Sequence, residues 1–114
     1  MATIGDFLDS LLGEGNDFAS EELNDLIDKA KRDSQIFIRH MGELAEEFIK
    51  LRALNKINND EFKELMLDIV DMEKMQVRLL SVQAKARAQD IVRGFKELII
   101  DKLMTFLEEK IGIG

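Results

Sequence analysis

From Ile27 onward, apolar or small side chains recur at steps of three and four: Ile27, Ala30, Ser34, Phe37, Met41, Leu44, Phe48 and Leu51. That spacing puts them on one face of an α-helix, in the stripe by which helices pair. Ile38, Ala45 and Ile49 lie beside the line, so the face is wider than a two-stranded seam and suits a bundle. The chain contains no proline, so no residue forces a stop. The pattern predicts a long helix over about 18–54. Ser20 is its expected cap, with Glu21 and Glu22 at the positive end of the helix dipole.

Where the stripe ends, Asn55-Lys56-Ile57-Asn58 reads as a turn of defined chemistry. Asn55 suits the left-handed conformation that ends a helix. Asn58 suits an N-cap, with Glu61 three residues on to complete a reciprocal cap. Ile57 and Phe62 occupy the two apolar positions that staple such a start. A link this short joins antiparallel neighbours. A second long helix then runs over about 59–111. Its two apolar halves flank a thin waist of Ala84, Ala86 and Ala88, and the residues between are good helix formers. A bend at that waist or near Gly94 is the alternative, and it would give a three-helix bundle.

Ahead of the hairpin, Ile4, Phe7, Leu8, Leu11 and Leu12 predict a short helix over about 4–12. Thr3 is placed to cap it and Gly13 to end it, with a joint at Gly13-Glu14-Gly15-Asn16. The expected fold is all-α: a long antiparallel hairpin with a short N-terminal helix, in one domain. An unbroken last helix would be about 75–80 Å long. Pairing across the turn sets Ala30 and Ser34 against the alanine waist, Arg87 near Asp28 and Arg93 near Glu22. Exposed ion pairs of this sort contribute only ~0–1 kcal/mol each and set register more than stability.

Composition excludes several classes of function. Cysteine is absent, which removes disulfides, thiolate catalysis and cysteine-held metals. Apolar residues make up 46% and charged residues 34% of the chain, too apolar for a disordered tail and too charged for a membrane span. No basic residue precedes an apolar run at the N-terminus, so no secretory signal is read, and a cytoplasmic location is expected. Net charge is −7, unevenly spread: residues 1–28 hold eight acids and no base, and residues 74–96 hold six bases against Asp90. The basic stretch lacks interleaved aromatics, so no nucleic-acid partner is expected.

Candidate chemistry is sparse. His40, Glu43 and Glu47 share a helical strip that Asp68 and Asp71 are placed to face, the material of a carboxylate metal site between helices. The Glu-x-x-His spacing of di-metal bundles is missing, because Phe37 stands three before His40. A solvated strip is the expected state, with no cofactor, no metal and no enzyme activity. A single hairpin covers one side of each stripe, and large apolar faces seldom stay bare. The expected function is therefore non-enzymatic protein–protein interaction or assembly through helix faces. Partners are a second copy, making a homodimer with coiled-coil-like packing in a four-helix bundle, or another protein. The interface expected from the stripes is Phe7, Leu11, Ile38, Ile49, Phe95, Ile99, Leu103 and Phe106. The alternatives are the carboxylate metal bundle and a peripheral membrane or nucleic-acid adaptor using residues 74–113.

Overall fold

The computed structural model describes residues 4–13 and 20–111. Among them every regular element is helical: α1 (Ile4–Leu12), α2 (Ser20–Lys31), α3 (Ile36–Ala53), α4 (Asn59–Gln76), α5 (Val82–Phe95), a π-helical segment (Lys96–Leu103) and α6 (Met104–Ile111). Gly13, at a φ of 89°, closes α1, and its N–H reaches the Asp9 carbonyl at 2.8 Å. The Thr3 cap, the rest of the joint at 14–16 and the approach to α2 at 17–19 lie outside the described residues.

The turn between α3 and α4 is built as its residues dictate. Asn55 adopts a φ of 59°. The Lys56 N–H bonds the Leu51 carbonyl at 2.9 Å and the Asn55 N–H bonds the Arg52 carbonyl at 3.1 Å. These two bonds satisfy carbonyls that a helix end otherwise orphans. Asn58 and Glu61 then cap each other's N–H groups, at 2.8 and 3.0 Å. Phe62 is fully buried behind Ile57, which packs on the core.

Both arms of the hairpin are broken, which corrects the expectation of continuous helices over 18–54 and 59–111. The first arm stops at Lys31 and resumes at Ile36; the second passes through a 3₁₀ turn (Val77–Leu79) and resumes at Val82. Neither break contains glycine or proline. Asp33 and Ser34 are residues whose side chains compete with helical hydrogen bonding. The Asp33 carboxylate accepts the Gln35 N–H at 2.9 Å, which fixes a turn where the helix would have run on. In the second arm Ser81 is an N-cap, its Oγ accepting the Ala84 N–H at 3.2 Å. The alanine waist lies inside an unbroken α5, so the bend comes earlier than either it or Gly94.

The broken arms fold back on their own chain. The longest dimension is 45 Å, well short of a straight hairpin. α2 packs on α3, α3 on α4, and α4 on the run from α5 to α6; α5 returns to α2 and closes a bundle, with α1 laid over α2 and α3. The first break shifts the phase of the core line. In α3 the inward residues are Met41, which keeps its place in the expected stripe, and Ile38, Ala45 and Ile49, each one position after a stripe residue, with Phe37, Leu44 and Phe48 half-buried beside them. Ala30 meets Gly42: a Cβ on Gly42 would stand 2.8 Å from that of Ala30.

The π-helical segment follows from a different spacing. Phe95, Ile99, Leu103 and Leu107 repeat strictly by four, and all are buried. Residues spaced by four drift around an α-helix by about 40° a step. A wider turn, with bonds such as Met104 N–H to the Ile99 carbonyl, returns them to one face.

Candidate functional site

The turn end of the bundle carries Arg52, 95% buried at the close of α3, where it is 5% exposed. Its Nε donates to Asn59 Oδ1 at 2.7 Å and its Nη1 to Asn55 Oδ1 at 3.1 Å. Burial pulls its pKa below the usual arginine value. A shallow groove of about 320 Å³ opens beside it, lined by Lys56, Asn58 and Glu61 among others. The guanidinium ties the last turn of α3 to the first of α4, and Glu61 is engaged in capping Asn58. The polar groups here serve the corner itself.

A second groove, of about 410 Å³, runs along the flank between α2 and the start of the π-helical segment. Leu26, Gly94 and Leu98 form its apolar part, and Glu22, Asp25, Glu97, Lys29 and Lys102 its polar part. Leu26 lies so close to Gly94 that an added Cβ would meet its Cδ2 at 2.5 Å. Acids and bases are mixed along the groove, so it favours no ligand charge.

The other end holds both breaks. α3 and α4 are each 18 residues long and are joined by a tight turn, so Ile36 and Gln76 stand at the same end. Arg87 of α5 reaches across to the first break: its Nε bonds Asp33 Oδ2 at 2.9 Å and its Nη2 bonds Oδ1 at 3.1 Å. This pair replaces the expected Arg87–Asp28 contact, and Arg93 pairs with Asp90 on its own helix at 3.4 Å instead of Glu22. Large aliphatic side chains project here. Ile36 is 71%, Leu79 78% and Val82 83% exposed. Around them the charge is one-sided: residues 31–40 and 74–87 hold seven Lys or Arg against Asp33 alone, a net +6 in a chain of net −7.

Asp33 responds to this setting. The Arg87 hydrogen bonds hold its carboxyl below the ordinary carboxylate range; burial opposes them, and the Gln35 N–H and Arg39 assist. An acid with a depressed folded pKa stabilises the fold above its unfolded value, near pH 3.9, and loses that contribution as pH falls through the lower folded value. Asp33→Asn is thus expected to melt below the parent at neutral pH, with the gap closing as pH drops under about 4. Thermal denaturation across pH checks this, and a gap that ignores pH would remove the assignment.

The expected site residues are placed as follows. His40, Glu43 and Glu47 are exposed on α3, and Asp68 and Asp71 are exposed on α4. Among the described residues no three His, Asp or Glu side chains gather as a metal site would require. Of the expected interface, Ile38, Ile49, Phe95, Ile99 and Leu103 are fully buried within one chain, which corrects their placement on an outer face. Phe7, Leu11 and Phe106 are half-buried against the same core. The reason is the fold-back: α2 and α5 cover surfaces that a straight hairpin would have left for a partner. Ile36 and Val82 lie outside the apolar stripes, each next to a Gln or Ser that starts a helix, whereas Leu79 belongs to the apolar half of the second arm and is expected to face Phe37; its exposure corrects that placement.

Comparison with known proteins gives no match: no family model, no curated sequence and no solved structure aligns with this chain.

Proposed function

We propose that this chain is a non-enzymatic interaction module, meeting its partner through the end of the bundle where both arms break. The observation that carries this is the exposure of Ile36, Leu79 and Val82, well above that of Leu54 and Leu67, at chain positions that the α3–α4 turn sends to one end. Scattered exposed aliphatics need no explanation, but a group of them on a well-covered bundle marks a contact surface. The helix faces are spent on the chain's own core, so recognition moves to the tip. No helix among the described residues is long and apolar enough to cross a membrane. A cytoplasmic setting is part of the same proposal. Homodimerisation, in this reading, is tip-to-tip.

The combined variant Ile36→Ser, Leu79→Ser, Val82→Ser tests it. Exposed substitutions usually change stability by no more than about 0.5 kcal/mol each. The variant is expected to melt close to the parent and, where the parent gains mass with concentration in sedimentation, to remain monomeric. A parent that stays monomeric assigns the tip to a different partner. A variant that unfolds or melts far lower would make these side chains structural and overturn the proposal.

A further inference from the structure

Three properties of the tip narrow its partner. The first is shape. Side chains exposed by more than two-thirds stand out from the surface, so they suit a soft, flat or concave acceptor more than a helix seeking a groove. The second is the kind of cation around them. Arg32, Arg39 and Arg78 are exposed and, among the described residues, form no direct ion pair, although the Arg39 charge is felt at Asp33. Of the neighbouring acids, Asp33 pairs with Arg87, Glu46 with Lys31 at 2.8 Å and Asp71 with Lys74 at 3.9 Å. Glu43 is exposed one helical turn beyond Arg39, and Asp28 and Glu73 stand in sequence just before the two basic segments. The third is the polarity of the whole molecule. With +6 at the tip and −7 overall, everything else in the chain is strongly negative. A negative surface would attract the tip and repel the body, which sets an orientation as well as an affinity.

From these we infer that the tip docks on an anionic lipid bilayer, with Ile36, Leu79 and Val82 entering the headgroup boundary and the arginines meeting lipid phosphates and carboxylates. The inference rests on the tip being the recognition surface, as proposed above. Apolar insertion together with basic side chains is the combination by which proteins lie on such membranes. Nucleic acid would use the cations but leave the aliphatics idle, and among the described tip residues Phe37 is half-buried and only the small His40 ring is exposed for base stacking.

Vesicle flotation tests this with the full chain, using phosphatidylcholine vesicles with and without phosphatidylserine. The expected result is binding only when phosphatidylserine is present, weakening as salt is raised. Each cation near the surface contributes about a fivefold factor, so Arg78→Gln should weaken partitioning about fivefold and the triple change at Arg32, Arg39 and Arg78 roughly a hundredfold. The Ile36, Leu79, Val82 serine variant should also lose binding while keeping its helical melt. Lys56→Gln, at the opposite end, should bind as the parent does. No flotation with phosphatidylserine, or equal flotation with neutral vesicles, overturns the inference. So does binding to duplex DNA at low salt that depends on the arginines and ignores the serine changes. Failure here with tip-dependent self-association in sedimentation would remove the lipid and leave the interaction surface standing.

Discussion

Phe95→Ala is expected to lower the unfolding free energy by about 3–5 kcal/mol, by the same amount at every protein concentration. Phe95 is fully buried at the last position of α5, in the four-residue line that the π-helical segment continues. Truncating it removes transfer energy and leaves a cavity that the neighbouring helices fill only partly. For a domain of ordinary stability, about 5–15 kcal/mol, that is a large share of the total. Independence from concentration separates an intramolecular core position from the interface between chains that the sequence stripe implies for Phe95. An interfacial phenylalanine would cost stability through dissociation, and the loss would shrink as concentration rises. Denaturant titrations at two well-separated concentrations distinguish the two. A concentration-dependent loss would return Phe95 to an interface.

Gly42→Ala is expected to destabilise, against the intrinsic preference of the helix. In the middle of a helix alanine is favoured over glycine by roughly 0.5–1 kcal/mol. Position 42, however, is where α2 rests on α3. A Cβ there would lie 2.8 Å from Ala30 Cβ and 3.0 Å from the Lys31 backbone nitrogen. Neither atom is the flexible end of a side chain, so α2 itself must shift. Overpacking of this kind costs about 1–3 kcal/mol. The Lys31–Glu46 pair, on the same two helices, would be stretched with it. Chemical denaturation measures the net effect, and a variant more stable than the parent would mean that α2 does not sit on Gly42.

The legible parts of this fold are those set by neighbours in sequence. Asn55, Asn58, Glu61 and Phe62 act within seven positions of one another, so their types and spacing specify the turn before any tertiary contact exists. α1 is readable for the same reason, from one apolar face and Gly13. The breaks are otherwise. Lys31 to Gln35 and Val77 to Ser81 contain no residue that forbids a helix, and local propensity alone carries the chain straight through. The local bonds of Asp33 to the Gln35 N–H and of Ser81 to the Ala84 N–H shape the breaks, and at the first of them long-range contacts add to this: Arg87 holds Asp33 from 54 residues away, and Gly42 admits Ala30. Once the arms fold, the core line of α3 turns about Met41 toward Ile38, Ala45 and Ile49, and five side chains expected to face a partner turn inward. Ile36 and Val82 belong to no stripe, and Leu79 leaves its stripe because the 3₁₀ turn at Val77–Leu79 interrupts the helix there. Their meaning comes only from the end of the bundle they share.

The closed bundle has an asymmetry in how its edges are held. α2 and α3, α3 and α4, and α4 and α5 are fastened by the chain itself. α5 and α2 touch without a direct connection, and Arg87 on Asp33 is the polar fastening between those parts of the sequence. Edges that close over long sequence separations form late and open at lower energy than those joined by a turn. This unhinged seam reaches the surface at the same end as Ile36, Leu79 and Val82. Whatever engages that end sits across an edge that the backbone does not hold shut, and so acts on how readily the bundle opens.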